Sequence, residues 1–287
     1  RERAPFYISY SNALYGFPSA RPMEAKAMRG ADLIYEFDAD EINTGCKLSH
    51  DSWKCSSCGT SGKGRPKKCD NCGSGVSVEE WVCPECLGAA KVQAKKLILF
   101  LQNDFGFSEG IAMNFSGSKG FHIHVRGSHV RSLSKPARLE LLDYITATNL
   151  DMDALGFRFD KQKNSFICPA KNKAKGWSKR ILDGVVLALE ENDVAKIAVM
   201  GGVEKKVAEK LLKEKHNIVH HMDNGLLAFS TKGIDAKKFW GHFRDFVIDK
   251  QKIGLEVDRQ TSIDINKIIR VPNTIHGSTG LLAKEFP

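Results

Sequence analysis

Alternating apolar and polar positions predict β-strands in the first half of the chain. The segment ADLIYEFDAD alternates with a period of two, which is typical of a strand. One face of this strand carries Leu33, Tyr35 and Phe37, and the other carries Ile34, Glu36, Asp38 and Asp40. Further along, IAMNFSGSKGFHIHVRG contains two alternating runs around a Ser/Gly/Lys turn, which predicts a hairpin. Because Asp38 and Asp40 lie on the same face of the first of these strands, their carboxylates should point the same way.

Helical periodicity dominates much of the remaining sequence. LGAAKVQAKKLILFLQNDFGF has apolar residues every three or four positions and predicts a packing helix that ends near Gly106. The stretch from Ser134 to about Leu189 is mostly helical, and VEKKVAEKLLKEKH and DAKKFWGHFRDFVIDKQK predict two more amphipathic helices. Towards the end we expect a short strand to Asp258, a cap at Thr261 or Ser262, and a short helix. The chain is therefore expected to be an α/β protein.

Composition and charge narrow the class of protein. The chain has a net charge of +9, and 27% of its residues are charged, which excludes an acidic or highly charged disordered chain. Its 287 residues are 42% hydrophobic, which is sufficient for a folded core. No apolar run approaches the roughly 20 residues of a membrane helix, and the first residues are charged and aromatic, unlike a signal peptide. We therefore expect an intracellular protein with no membrane partner. Because it begins at Arg1, we expect a processed chain or a piece of a longer one.

The cysteines form the strongest chemical signal. Seven of the eight lie between Cys46 and Cys86, and six of these form three Cys-x-x-Cys pairs. Two cysteines at this spacing can turn both thiolates towards one ion, and clustering in an intracellular protein indicates metal ligation rather than disulfides. The remaining cysteine, Cys168, is expected to be a small buried apolar residue.

Counting ligands predicts two structural zinc ions. Seven cysteines are one ligand short of two four-coordinate sites, and His50 in CKLSH supplies the eighth. A nested pairing gives an inner site of Cys55, Cys58, Cys69 and Cys72 and an outer site of Cys46, His50, Cys83 and Cys86. A sequential pairing of the same ligands is the alternative that the spacing leaves open.

Four further segments carry candidate functional groups, and each of them also has a purely structural explanation when taken alone. Two aspartates at i and i+2 can converge on a pair of divalent cations, although Asp-x-Asp is also common where a strand exits into a loop. The SGSKG turn, with Lys119, suits a phosphate, whereas His122 and His124 beside it could simply face solvent on a strand. The basic turn SGKGRPKK and the basic segment KQKNSFICPAKNKAKGWSKR suit nucleic acid, or are solvated loops. The second of these segments has the aromatic residues Phe159, Phe166 and Trp177 in or beside it.

Taken together, these motifs resemble one known family. FDAD, the cysteine-rich insertion after it, NFSGSKGFHIHV, and VDRQTSIDINKIIRVPNTIHGSTG follow one another with the order and spacing of the catalytic small subunit of archaeal and eukaryotic DNA primases. The motifs span residues 36–282 and rarely coincide elsewhere. The resemblance implies an α/β fold with a primase-type catalytic core, a mixed β-sheet, a zinc-binding protrusion and a helical insertion. The expected divisions are a core of residues 1–45, 87–130 and 216–287, a zinc-binding insertion of 46–86, and a mainly helical insertion of 131–215.

The resemblance also implies roles for individual residues. Asp38, Asp40 and Asp258 would hold the catalytic Mg²⁺ or Mn²⁺ ions. The triphosphate of the incoming nucleotide would contact Ser116, Lys119, His122, Arg270 and His276. The family often has arginines where this chain has Ser118 and Lys119, so nucleotide affinity is expected to differ. The family's zinc motif favours the nested pairing, which makes the inner site an extra loop.

The activity implied is template-directed synthesis of short RNA, or DNA, primers on single-stranded DNA. Expected partners are single-stranded DNA, nucleoside triphosphates and the primase large subunit, in the cytoplasm or nucleoid of an archaeon or the nucleus of a eukaryote. Family members usually extend beyond both ends of this sequence, so both ends look short. Two alternatives stay open: a repair or plasmid primase-polymerase that extends existing ends, and a non-enzymatic zinc module that binds nucleic acid.

Overall fold

The structure, a computed structural model, describes residues 8–229, 231–251 and 262–286. Its strands are β1 Ser9–Ser11, β2 Ala13–Tyr15, β3 Met28–Ala31, β4 Leu33–Asp38, β5 Ser52–Cys55, β6 Ser61–Lys63, β7 Val76–Glu79, β8 Ile111–Phe115, β9 Gly120–Val125, β10 Arg158–Asp160, β11 Ser165–Ile167, β12 Leu226–Leu227, β13 Ile268–Arg270 and β14 Lys284–Phe286. Its α-helices are α1 Lys47–His50, α2 Pro84–Phe105, α3 Ser128–Arg131, α4 Lys135–Ile145, α5 Gly176–Glu190, α6 Val194–Gly201, α7 Lys205–Lys213, α8 Lys215–Asp223 and α9 Ala236–Gln251, with a 3₁₀ helix at Met23–Lys26. Within these ranges no helix combines the length and apolar character needed to cross a membrane.

The chain divides into two compact units, and the first contains a four-stranded sheet in the order β14-β8-β9-β4. The predicted strand and hairpin are confirmed as β4 and β8–β9. Every strand pairing in the described ranges is antiparallel, so the expected mixed sheet is wrong there. The reason is topological: α2 connects β4 to β8, but the tight turn after β8 returns β9 between them, so that no parallel neighbours form.

One face of this sheet is covered by α2. The predicted helix begins with Pro84 at its first position and ends at Gly106, which has a left-handed conformation. Its apolar stripe, of which Leu97 and Leu101 are fully buried, packs against the strand positions that alternate with the acidic ones. Because α2 covers one face, the polar residues of β4 and β9 are left on the other.

The insertion between β4 and α2 forms its own small sheet in the order β6-β5-β7. Trp53, Cys55 and Cys69 make up its buried cluster, with Val76 and Val78 packed against them. Such a core is small for a folded module, which is consistent with a need for bound metal.

The second unit comprises residues 143–252 and combines α5 to α9 with the sheet β10-β11-β12. The aromatic face of α9 is buried, with the Trp240 ring centroid 5.5 Å from that of Phe157 and 5.6 Å from that of Phe166. This packing explains why the compact unit extends past residue 215, where the sequence-based division ends. That division into functional segments stays a prediction.

Candidate functional site

The outer metal cluster consists of Cys46, His50, Cys83 and Cys86, from the beginning and the end of the insertion. The Sγ atom of Cys86 lies 3.4 Å from that of Cys46, 3.7 Å from that of Cys83 and 3.3 Å from Nε2 of His50. A tetrahedral zinc with Zn–S bonds of about 2.3 Å needs sulfur atoms about 3.8 Å apart, so these separations fit zinc. Asp51 lies 2.7 Å from Nδ1 of His50, which leaves Nε2 directed at the cluster.

The inner cluster consists of Cys55, Cys58, Cys69 and Cys72. Its Sγ atoms are 3.5 Å apart between Cys55 and Cys72 and 3.6 Å apart between Cys58 and Cys69. Hydrogen bonds with the side chain and backbone of Thr60 lower the pKa of the Cys58 thiol to about 5, which favours the thiolate that a metal needs. The chain thus assembles the ligands in nested order, and the sequential alternative is wrong. Both clusters can hold zinc.

The predicted pair of acids lies where β4 ends. Asp38 is the last residue of β4, and Asp40 lies in the turn that follows. Burial raises the pKa of Asp38; the Lys119 ammonium lowers it, and the Glu36 and Asp40 carboxylates raise it further. Lys119 forms an ion pair with one carboxylate oxygen of Asp40. The other oxygen, Oδ1, is buried and has no hydrogen-bond partner among the described residues. The carboxylate oxygens of Asp38 and Asp40, one of which has no hydrogen-bond partner among the described residues, are the type of ligand that Mg²⁺ and Mn²⁺ prefer.

The SGSKG turn is folded directly against these acids. The Oγ atom of Ser116 accepts hydrogen bonds from the backbone N–H groups of Ser118, at 3.3 Å, and Gly120, at 3.2 Å. A Cβ atom at Gly120 would overlap the carboxylate of Asp38, so only glycine allows this approach. The turn that carries Lys119 is therefore held beside the predicted metal ligands.

The C-terminal segment that contains Arg270 and His276 packs against the SGSKG turn. Gly117 has φ +81°, and a Cβ atom there would lie 3.1 Å from Cβ of His276. The Thr279 hydroxyl donates a hydrogen bond of 2.6 Å to the carbonyl oxygen of Gly117. Arg270 donates to the carbonyl oxygen of Ile275 at 3.4 Å. Burial lowers the pKa of His276, and the positive charge of Arg270 lowers it further. The structure thus brings His276 to the turn, and Arg270 lies near His276.

His122 and His124 of the hairpin do not face solvent. The alternative that they are simply solvent-facing strand residues is therefore wrong. Nε2 of His122 lies 3.2 Å from a Glu36 carboxylate oxygen, whose partner oxygen lies 2.6 Å from Nζ of Lys267. Nδ1 of His124 lies 3.3 Å from the Tyr10 hydroxyl. Burial lowers the pKa of His122, and it lowers that of His124 to about 3 with help from nearby positive groups. Both imidazoles are therefore neutral near pH 7 in the free protein.

Sequence reasoning missed Lys267 and Asn114. Lys267 precedes Arg270 in a run with no clear pattern, so nothing local indicated its pairing with Glu36. Asn114 lies directly opposite His122 on β8, and neither polar atom of its buried amide has a hydrogen-bond partner in the described chain. Asn114 could have been found from the sequence, because it is the only polar residue in the strand IAMNF and lies two positions before Ser116. The predicted third acid, Asp258, lies outside the described residues, and its role stays a prediction.

The basic segment KQKNSFICPAKNKAKGWSKR does not expose the aromatic residues Phe166 and Trp177 that a nucleic-acid surface would need. Trp177 is fully buried, and Phe166 is 7% exposed, with its ring centroid 5.0 Å from that of Phe159. Trp177 and Phe166 are therefore core residues that cannot stack on bases. Cys168 is buried as expected, and burial raises the pKa of its thiol to about 11.

Comparison with known proteins gives one consistent result. A family model described as "DNA primase small subunit" matches residues 67–286. The DNA primase small subunit PriS of Methanothrix thermoacetophila is 29% identical over an alignment of 300 positions, which covers 98% of this chain and 67% of that protein. The PriS proteins of Cenarchaeum symbiosum and Nitrosopumilus maritimus are each 28% identical over 283 residues, 98% of this chain and 65% of theirs. This chain therefore spans about two thirds of the length of these relatives.

Proposed function

Because the chain belongs to the DNA primase small-subunit family, we propose that it is the catalytic subunit of a DNA primase, which synthesises short RNA primers on single-stranded DNA for replication. The observation that carries the proposal is the meeting of three distant motifs. The acids at the end of β4, the SGSKG turn and the loop of His276 adjoin one another at one end of the sheet. Nucleotidyl transfer needs metal ligands next to a phosphate-binding turn, which this arrangement supplies.

We further propose a primase-type catalytic core built on the sheet of the first unit. In this interpretation residues 1–45, 87–130 and 216–287 form the core, 46–86 form a zinc-binding protrusion with two structural zinc ions, and 131–215 form a mainly helical insertion. The nested clusters and the four-stranded sheet support this interpretation.

Asp38 and Asp40, together with Asp258, would hold Mg²⁺ or Mn²⁺, which supplies activation of a 3′-hydroxyl and neutralisation of the leaving pyrophosphate. Lys119 forms an ion pair with Asp40 in the free protein. We infer that Lys119 neutralises the charge of the Asp40 carboxylate when no cation is bound. With a cation bound, the Lys119 ammonium would be free to contact the triphosphate of the nucleotide.

The triphosphate would be bound on the turn by residues that donate hydrogen bonds or carry positive charge. These residues are Ser116, Lys119, His122, Arg270 and His276. Glu36 and Lys267 would orient His122 through the contacts described above. Because imidazole donors and an arginine suit phosphate oxygens, the pocket fits a nucleoside triphosphate.

Initiation of a chain requires two nucleotides to be bound at once on a template. We therefore propose that the chain works with single-stranded DNA, nucleoside triphosphates and a primase large subunit. The names of the relatives, which call each of them a small subunit, support this last partner.

The test of this function is synthesis on an unprimed single-stranded template with ribonucleotides or deoxyribonucleotides, with and without the large subunit. We expect short products whose synthesis depends on Mg²⁺ or Mn²⁺. Extension of pre-annealed primers alone, with no de novo product in any condition, would instead support a repair-type primase-polymerase. Template binding without any synthesis would support a non-enzymatic zinc module.

The phosphate pocket allows a sharper prediction. Arg270→Ala and His122→Ala should each raise the nucleotide KM by about tenfold or more, because a charge-assisted or buried hydrogen bond contributes roughly 1.5–3 kcal/mol. Template Kd should change by less than about twofold. Lys119→Arg should lower the nucleotide KM, since the guanidinium can contact phosphate through two hydrogen bonds.

The matched control is Lys95→Ala, which removes an exposed lysine on α2. All variants are compared at one salt concentration, because phosphate contacts depend on salt. If the Arg270, His122 and Lys119 variants all keep the wild-type KM, then the SGSKG turn is only a hairpin.

A further inference from the structure

The zinc insertion carries an unusual exposed surface, which we call the Trp81 surface. It consists of Trp81, Leu48, Lys63, Lys67 and Lys68. The side chains of Trp81 and Leu48 are 65% and 72% exposed, respectively. The other three tryptophans of the chain are 6% exposed or less. A solvent-exposed indole can stack on a flat ligand, and exposed lysines of the same insertion can contact an anion.

Asp51 holds the parts of this surface together. Its fully buried carboxylate accepts a 3.0 Å hydrogen bond from the backbone N–H of Trp81 and forms an ion pair with Arg65 of the basic turn. Its carbonyl oxygen accepts a hydrogen bond of 2.9 Å from the N–H of Gly64. The same carboxylate contacts His50 of the outer cluster. One residue thus fixes Trp81 and the basic turn against the outer metal cluster.

The charges in the basic turn divide into two groups. Arg65 is used internally, since its guanidinium pairs with Asp51 and lies 3.0 Å from Glu80. Lys63, Lys67 and Lys68 are exposed, and no ion pair within the described ranges involves them. Three exposed ammonium groups in the segment that Asp51 ties to the Trp81 backbone complement an anionic ligand that also has flat apolar surfaces.

We propose that the Trp81 surface binds the single-stranded DNA template, with a base stacked on Trp81 and backbone phosphates on Lys63, Lys67 and Lys68. Stacking on an aromatic ring and contact of lysines with phosphates are the two interactions that bind single strands without regard to sequence. A template must be bound in this way, since a primase copies many sequences. The choice of template as the ligand rests on the proposed function.

The position of the surface also favours a template. Leu48 lies on α1, and the neighbouring Lys47 on that helix donates a hydrogen bond of 2.6 Å to the backbone carbonyl of Asp40. The short helix α1 therefore contributes both to the Trp81 surface and to the support of the acidic turn. A strand bound on Trp81 is held close to the predicted metal ligands.

Equilibrium binding of oligothymidylate to the zinc-loaded chain, without nucleotides, tests the proposal. The wild-type fluorescence should be quenched, because Trp81 is the exposed tryptophan. Trp81→Phe should lose the quenching and keep most of the affinity measured by anisotropy of a labelled strand, whereas Trp81→Ala should raise Kd by about 5- to 50-fold. The control is Phe17→Ala, which removes an aromatic side chain of equal 65% exposure outside the insertion and should leave Kd unchanged.

The lysines are tested through the salt dependence of binding. Lys67→Ala/Lys68→Ala should reduce the slope of log Kd against log salt concentration by about 1.4, or about 0.7 for each lost phosphate contact. Lys205→Ala/Lys206→Ala removes the same charge from α7 and should leave the slope nearly unchanged.

Wild-type affinity and slope in the Trp81→Ala and Lys67→Ala/Lys68→Ala variants would overturn the proposal. If these variants bind DNA normally but lose association with the large subunit, then the surface serves a protein partner instead. Because binding is measured without nucleotides, failure of primer synthesis in the wild type would contradict the proposed function while leaving this assay informative.

Discussion

Primer synthesis should fall by about a thousandfold or more when either Asp38 or Asp40 is replaced by alanine. The reason is that metal ligands serve both the attacking hydroxyl and the leaving pyrophosphate, so that loss of one ligand removes several kcal/mol of transition-state stabilisation. Single-turnover extension with saturating nucleotide and template measures this loss separately from binding. Near wild-type rates in either variant would remove that residue from the site.

The stability of the same variants separates a functional role from a structural one. Burial raises the pKa of Asp38 above its ordinary value, so its ionised form is disfavoured in the folded state. A carboxyl with a raised folded-state pKa contributes stability at pH below its unfolded value, and this contribution is lost as the pH rises through the folded-state pKa. At neutral pH without divalent cations, Asp38→Asn should therefore keep or raise the melting temperature while activity is lost.

Two controls accompany these measurements. Glu36→Gln should weaken nucleotide binding more than it lowers the maximal rate, because Glu36 contacts His122 and Lys267. Asp183→Ala breaks an exposed pair with Lys179 in the second unit and should leave both activity and stability close to wild type.

Loss of the outer metal cluster should have the second largest effect. Cys86 is fully buried, and its Sγ atom is in contact with the other three ligands of its cluster. Cys86→Ser should remove one zinc per chain, unfold the base of the insertion and destabilise it by several kcal/mol, because metal binding contributes to folding of such small modules. Synthesis should fall as well, since Lys47 of the insertion supports Asp40.

The inner cluster provides the matched comparison. Cys58→Ser should remove only the inner zinc and leave the outer one, because the two ligand sets are separate. Elemental analysis should give about two zinc ions per wild-type chain and one in each variant, and limited proteolysis should show where the insertion opens. Loss of both ions from Cys58→Ser, or two ions retained by Cys86→Ser, would contradict this assignment.

Much of the local structure could be predicted from the sequence. The strand at Leu33–Asp38, the long helix that ends at Gly106 and the hairpin around SGSKG all follow from a period of two or of 3.6 between apolar residues. Six of the eight metal ligands follow from Cys-x-x-Cys spacing, because two cysteines at that spacing can turn both thiolates towards one ion. Cys46 and His50 follow from the count of ligands that two four-coordinate ions require. These features depend on residues close together in the chain.

Other features were decided only by the tertiary structure. Nested and sequential pairing use the same Cys-x-x-Cys units, and only folding of the insertion selects the nested one. The ion pair of Asp40 with Lys119, the contact of Gly117 with His276 and the pairing of Glu36 with Lys267 each join residues far apart in sequence. Local periodicity carries no information about such partners.

Burial likewise separates residues that look alike in the sequence. Trp81 and Trp177 each lie beside charged residues in the sequence, but Trp177 is part of the core of the second unit whereas Trp81 is exposed. His124 looks like a surface residue of an alternating strand, yet the Tyr10 side chain lies against it. The sequence by itself determined the elements and the chemical groups, because these depend on spacing along the chain. Packing determined which groups meet and which reach solvent, because that depends on contacts between distant segments.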